Sequence, residues 1–148
     1  MRKYTLIALL LVSVNSFAMS KQCEIASTMF EDAGLVMLDG MSMAVNEGEI
    51  LSNSTVTHDE FSLWYTKIYP KKISTVANKY KRYENVDAKN PIYLGNVALI
   101  ETNNLTTSLN QYIKNKNEPN LDKVRDAKSR IESAYRRLVK DCGKKYDR

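Results

Sequence analysis

The side chains best suited to catalysis are few in this chain. His58 is the only histidine, so a Ser-His-Asp or Cys-His arrangement would have to use it, and a site built from several histidines is excluded. His58 also lies within Thr57-His58-Asp59-Glu60, a capping box whose threonine and glutamate satisfy backbone donors at a helix start. We therefore interpret His58 as a solvated first-turn residue, and we predict no catalytic residues and no enzymatic activity.

The two cysteines, Cys23 and Cys142, stand 119 positions apart, and no histidine lies near either of them. This spacing matches neither a zinc motif nor a C-x-x-C redox centre. We predict an intramolecular disulfide, because the chain carries an export signal and disulfides persist outside the cytoplasm. We predict no metal site.

Methionines are concentrated in the first predicted helix, at Met29, Met37, Met41 and Met43. Thioethers can bind Cu(I) or supply a haem ligand, but the last predicted helix has no histidine to complete a haem site. We interpret the methionines as fillers of irregular gaps in the core, and we predict no cofactor. Together with Trp64 they suggest an alternative function, in which a hydrophobic ligand or cofactor is held between the helices.

Carboxylates offer a third possibility, a hydrolase of the kind that uses two acidic side chains. Asp32 with Asp39, and Glu47 with Glu49, are the candidate pairs. Such an enzyme needs a defined separation between its carboxyl groups, which spacing along the chain does not give. Solvated helix faces explain these residues better, so this function ranks last.

A basic, tyrosine-containing segment is the feature that points most directly to a partner. It reads Lys79-Tyr80-Lys81-Arg82-Tyr83, and on a helical wheel Lys67, Lys71 and Arg82 fall on one flank. Residues 19–60 carry a net charge of −7 and residues 61–148 a net charge of +10. Either an acidic first helix packs beside a basic last one, or the basic flank binds an acidic protein or an anionic envelope component. Residues 19–148 together carry a net charge of +3, which is too small to predict nucleic-acid binding by itself.

Two leucines suggest a second, apolar contact surface. Leu35 and Leu38 fall among Glu31, Asp32 and Asp39, on the side of the first helix that should be polar. They are either covered by a loop or exposed to a partner. The polar loop from residue 46 to residue 56 is the next candidate, because long loops often carry function.

The first residues have the composition of a secretory signal. Met1-Arg2-Lys3 precedes an apolar run from Leu6 to Val14, and Ser16-Phe17-Ala18 provides small residues at a cleavage site. We predict cleavage after Ala18 and a mature domain of residues 19–148 that is periplasmic or secreted and has no membrane span. Oligomeric state is not predicted.

Hydrophobic periodicity predicts four helices. The second should be kinked or split near Tyr69 because Pro70 removes a backbone donor, and the third should begin with Asn90 as cap and Pro91 at its first position. The predicted helices span residues 21–47, 57–83, 91–116 and 121–142.

This pattern predicts an all-α protein, an up-down-up-down four-helix bundle closed by the terminal disulfide after a cleaved signal peptide. That topology places the beginning of the first helix beside the end of the last, where Cys23 and Cys142 would meet. The leading functional hypothesis is an exported, non-enzymatic binding protein of the cell envelope, such as an inhibitor, an immunity factor or an adaptor. Its predicted contact residues are Lys67, Lys71, Arg82, Leu35 and Leu38.

Overall fold

The computed structural model describes residues 21–38, 40, 45–46, 49–50 and 58–143. Within this part the fold is helical apart from one short antiparallel pair of strands. The predicted signal peptide and Thr57 of the capping box lie outside the described residues. The helices are α1 (21–38, with residue 40 also helical), α2 (His58–Lys67), α3 (Tyr69–Tyr80), α4 (Pro91–Lys114) and α5 (Glu118–Cys142).

The first helix is shorter than its periodicity predicts. Instead of continuing to residue 47, the chain forms strand β1 (Val45–Asn46), which pairs with β2 (Glu49–Ile50). The paired Val45 and Ile50 are β-branched and favour extended backbone, while Asn46 and Gly48 are common turn residues. Each strand has two residues, too few for an alternating pattern to be recognised in the sequence.

The predicted break in the second helix is confirmed. α2 ends at Lys67 and α3 begins at Tyr69, with Pro70 in its first turn. Hydrogen bonds continue on both sides of the break, from the Ile68 N–H to the Trp64 carbonyl (2.9 Å) and from the Lys72 N–H to the Ile68 carbonyl (3.3 Å). The proline therefore redirects the chain without opening a loop. A 3-10 turn (Lys81–Tyr83) follows α3.

The beginning of α4 follows the predicted capping chemistry, and α5 is capped at both of its ends. The Asn90 side chain accepts a hydrogen bond from the Ile92 N–H (3.0 Å), as expected for a cap followed by proline. α5 begins earlier than predicted, because Asn117 caps it by accepting from the Asn120 N–H (2.9 Å). Gly143 ends α5 with a positive φ of 81°, a conformation that glycine adopts without strain.

The core joins all five helices. Its largest part surrounds Phe61 and Trp64 of α2, which pack with Leu105 and Leu109 of α4 and Val124 of α5. A second part lies next to Cys142 and contains Ala26, Leu94, Ala134 and Leu138. A third part contains Met29, Tyr80 and Ile92.

Two glycines permit close helix packing. A Cβ at Gly40 would lie 2.5 Å from the Trp64 ring, and one at Gly95 would lie 2.7 Å from the Met29 sulfur. The close approach over Gly40 offsets the low helix propensity of glycine at that position. At Gly34 an added Cβ would meet nothing within 4 Å.

The predicted disulfide between Cys23 and Cys142 is present. Their Cα atoms lie 5.7 Å apart, so the beginning of α1 meets the end of α5. None of the described helices is both long enough and apolar enough to cross a membrane.

Candidate binding groove between α1 and α3

A surface groove of about 400 Å³ lies between α1 and α3. Val36 and Val76 form its apolar floor, and Leu35 and Lys71 stand at its rim. Leu35 is 61% exposed, so most of its apolar side chain is in contact with water. The remaining side chains that line the groove are Asp32, Lys72 and Thr75.

Lys71, at the rim of the groove, belongs to a stretch of the chain that is rich in basic residues. Residues 61–83 contain no aspartate or glutamate, whereas residues 67–82 contain five lysines and one arginine. Neighbouring positions along this stretch therefore offer no intrahelical ion pairs. A carboxylate that pairs with these cations has to come from outside this stretch.

Asp32 of α1 supplies that carboxylate. Its Oδ2 atom accepts one hydrogen bond from Lys79 Nζ and another from the Tyr80 hydroxyl, each 2.6 Å long. Burial alone would raise the pKa of the Asp32 carboxyl, but the hydrogen bonds from Lys79 and Tyr80 outweigh it and hold the pKa below its usual value of 3.8. This link joins α1 to α3 at one end of the groove.

The link between Asp32 and Tyr80 should make stability depend on pH. Tyr80→Phe should lower the free energy of unfolding by about 1–2 kcal/mol near neutral pH, because it removes a donor to a charged acceptor. A carboxyl with a lowered folded pKa contributes stability above its unfolded pKa of 3.8 and loses it as pH falls through the folded value. Chemical denaturation of both proteins should therefore show a difference that is full near neutral pH and shrinks as pH falls below 3.8, the unfolded pKa of the Asp32 carboxyl.

The control for this measurement is Asp32→Asn, in wild-type and Tyr80→Phe backgrounds. The effect of Tyr80→Phe should be much smaller when residue 32 is asparagine. An effect of Tyr80→Phe that stays constant from neutral to acidic pH would show that ionised Asp32 is not the important acceptor.

The structure brings together one residue from each predicted contact surface, because Leu35 and Lys71 line the same groove. Leu38 is 60% exposed and follows Leu35 by about one turn of α1. The other two predicted cations lie elsewhere. Lys67 ends α2 before the break, and Arg82 stacks on the Tyr83 ring with 4.7 Å between the guanidinium carbon and the ring centroid.

The distance along the chain explains why the predicted basic flank is divided. Arg82 follows Lys71 by eleven positions, which is about 16 Å of helix at 1.5 Å per residue. It lines a separate groove with Ile25 and Lys79. A helical wheel shows angular position only, so it groups residues that are far apart along the axis.

Sequence reasoning missed the contribution of Asp32 and the apolar floor of the groove. Val36 and Val76 fall on the apolar side of their helices by spacing, but periodicity does not reveal that α1 and α3 leave a depression above them. The absence of acidic residues from 61–83 was a usable signal for an acidic contact from another helix. It could not identify Asp32 among the eight acidic residues of segment 19–60.

Two of the methionines that were considered as metal or haem ligands pack against the core. Met29 is fully buried and packs on Gly95, and Met37 packs at the edge of the main core. His58 begins α2, and its side chain lies outside the described part. Within the described ranges, no group of three histidine, cysteine, aspartate or glutamate residues could hold a metal ion.

Comparison with known proteins gives no assignment: the chain matches no protein-family model, no curated protein and no solved structure.

Proposed function

We propose that this protein is an exported, non-enzymatic binding protein of the cell envelope, of the inhibitor, immunity or adaptor type. It binds an acidic, amphipathic segment of another protein in the groove between α1 and α3. The observation that carries this proposal is the position of exposed Leu35 and Lys71 on the same groove.

The chemistry of the groove determines the chemistry of the segment. An apolar side chain of the partner would cover Leu35 and lie against Val36 and Val76, which removes apolar surface from water. Carboxylates beside it would approach Lys71. Asp32, the carboxylate that lines this groove, is already paired with Lys79. An amphipathic helix can present apolar and acidic side chains next to each other, and such helices commonly bind in apolar grooves.

Export and helix order complete the proposal. Residues 1–18 act as a cleaved signal, and oxidation outside the cytoplasm forms the disulfide between Cys23 and Cys142. An up-down-up-down order is supported by two contacts between α4 and α5. Glu101 pairs with Arg130 near the middle of both helices, and Gln111 contacts Asn120 near the turn that joins them, as expected for antiparallel neighbours. The disulfide joins the beginning of α1 to the end of α5, which is also consistent with an antiparallel arrangement of these two helices.

The first experiment compares two equally exposed leucines. A photo-crosslinking amino acid replaces Leu35 in one variant and Leu63 of α2 in the other, since both side chains are 61% exposed. In cells of the source organism, position 35 should give one strong protein adduct that position 63 does not give. The adduct identifies the partner for purification.

Binding to the purified partner then tests the groove itself. Leu35→Asp and Lys71→Glu should each weaken affinity by about tenfold or more, because one removes an apolar contact and the other reverses a charge. Leu63→Asp and Lys114→Glu, which alter exposed positions outside the groove, should leave affinity unchanged. Association should slow as salt rises above about 0.1 M.

Three results would contradict the proposal. They are crosslinking at residue 63 but not at residue 35, unchanged affinity in both groove variants, and equal affinity of wild type for anionic phosphatidylglycerol vesicles and for the partner. The last result would assign the groove to a lipid surface.

A further inference from the structure

A second groove, of about 410 Å³, lies between α4 and α5 on a different part of the molecule. Every side chain that lines it in the described part is polar. α4 contributes carboxamides and hydroxyls, including Asn103, Asn104 and Thr107, and α5 contributes charged groups. An apolar ligand would lose hydration here without gaining apolar contact, so the site suits a polar ligand.

The composition of α4 indicates that these residues are not present to stabilise the helix. Asn103 and Asn104 are exposed, and Thr107 and Ser108 are partly exposed. Asparagine, threonine and serine are weaker helix formers than glutamate or lysine, which the chain uses freely on the outside of α5. Positions where a sequence departs from local helix preference are candidates for function.

Hydrogen bonds from outside the groove fix four of its side chains. Buried Glu101 accepts from Arg130 Nε (2.9 Å) and from Asn104 Nδ2 (3.2 Å) on one carboxylate oxygen. The Tyr69 hydroxyl donates to Asn103 Oδ1 (3.0 Å). The Tyr65 hydroxyl lies 3.2 Å from the Thr107 hydroxyl.

These contacts hold the groove in one arrangement before any ligand arrives. Side chains supported in this way lose little conformational freedom on binding, which is the usual construction of a specific site. Ordinary solvated polar residues have no such support.

The charged residues of α5 keep unused bonding capacity. Spacing along the helix predicts a pair between Asp126 and Arg130, but the structure pairs Arg130 with Glu101 instead. Among the described residues Asp126 makes no ion pair, and Lys123 makes none. The groove therefore offers a free carboxylate beside amide and cationic donors.

We propose that the groove between α4 and α5 binds a neutral oligosaccharide. Each sugar hydroxyl both donates and accepts, which matches the paired donor and acceptor of a carboxamide. Asp126 accepts from adjacent hydroxyls, while Arg130 and Lys123 donate to hydroxyl or ring oxygens. Glu101 and Asp126 together balance Lys123 and Arg130, so the site has no excess charge that would select an anion. This inference does not depend on the groove between α1 and α3.

Nuclear magnetic resonance titration of the isotope-labelled full domain tests the proposal. The probes are the tetramers of N-acetylglucosamine, glucose in α-1,4 linkage, glucose in β-1,4 linkage, and mannose. At least one should give saturable shifts confined to residues 103–111 and 123–130, with a Kd below about 10 mM.

Two matched variants, each replacing one carboxylate of α5 by an amide, test whether binding depends on the groove. Asp126→Asn should weaken binding of the active tetramer by about tenfold or more, because a charged acceptor is lost. Asp141→Asn, near the end of the same helix and paired with Arg137, should bind like wild type. Both side chains are exposed, and unchanged spectra away from the substitution verify the fold.

The proposal is overturned if no tetramer gives saturable shifts, if the shifts map to other helices, or if Asp126→Asn binds like wild type. Sodium sulfate serves as a competing probe. Larger shifts at the same residues with sulfate than with any tetramer would identify an anion site and would also overturn the proposal.

Discussion

Replacing both Cys23 and Cys142 with serine should lower the free energy of unfolding by about 4 kcal/mol. The bridge spans 119 positions, so it excludes many expanded conformations from the unfolded ensemble. On the chain-entropy account, long loops give the greatest stabilisation, within a usual range of about 2–5 kcal/mol.

Urea denaturation of the oxidised wild type, the reduced wild type and the double-serine variant measures this effect. The last two should unfold at similar urea concentrations, well below the oxidised protein. Circular dichroism before denaturation should show helix in all three. Equal urea midpoints for the oxidised and double-serine proteins would contradict this expectation. They would mean that the unfolded chain is already compact without the disulfide.

Leu138→Ala should lower the free energy of unfolding by about 2–5 kcal/mol. Leu138 is 1% exposed and packs with Ala26, Leu94 and Ala134 next to the disulfide, so truncation leaves a cavity with little freedom to collapse. The matched control is Leu63→Ala, which removes the same atoms from a side chain that is 61% exposed. Its effect should stay within about 0.5 kcal/mol.

Ile131→Ala provides an intermediate case on the same helix. Periodicity alone places Ile131 in the core and predicts a loss of about 2–5 kcal/mol, but the structure leaves it partly buried at the edge of the main cluster. We therefore expect its effect to fall between those of Leu63→Ala and Leu138→Ala. Thermal or chemical denaturation showing Leu138→Ala no worse than Leu63→Ala would contradict the packing of α5.

The helices themselves were predictable because their signals are local. Pro70, the pair Asn90 and Pro91, and Gly143 act through their own backbone geometry, so each marks a boundary wherever it occurs. The disulfide followed from the count of cysteines. The strands were missed because two residues cannot display a period.

The candidate sites were less predictable because they depend on distances between helices. Leu35 and Lys71 were recognised as separate features, but only packing places them on one groove. Arg130 illustrates the same limit, since its spacing favours Asp126 whereas the fold brings buried Glu101 within 2.9 Å. A partner on another helix is invisible to any rule based on positions three or four apart.

The bond between Cys23 and Cys142 also makes the intervening polypeptide a covalent ring. A protease that cuts one peptide bond anywhere between these residues leaves two polypeptides that the disulfide still joins, so no fragment is released. Two cuts are needed before any piece can separate. The exposed turn that contains Asp87 and Lys89 can therefore be nicked while both halves of the domain remain attached, and their noncovalent contacts can reassemble at the high effective concentration of one molecule.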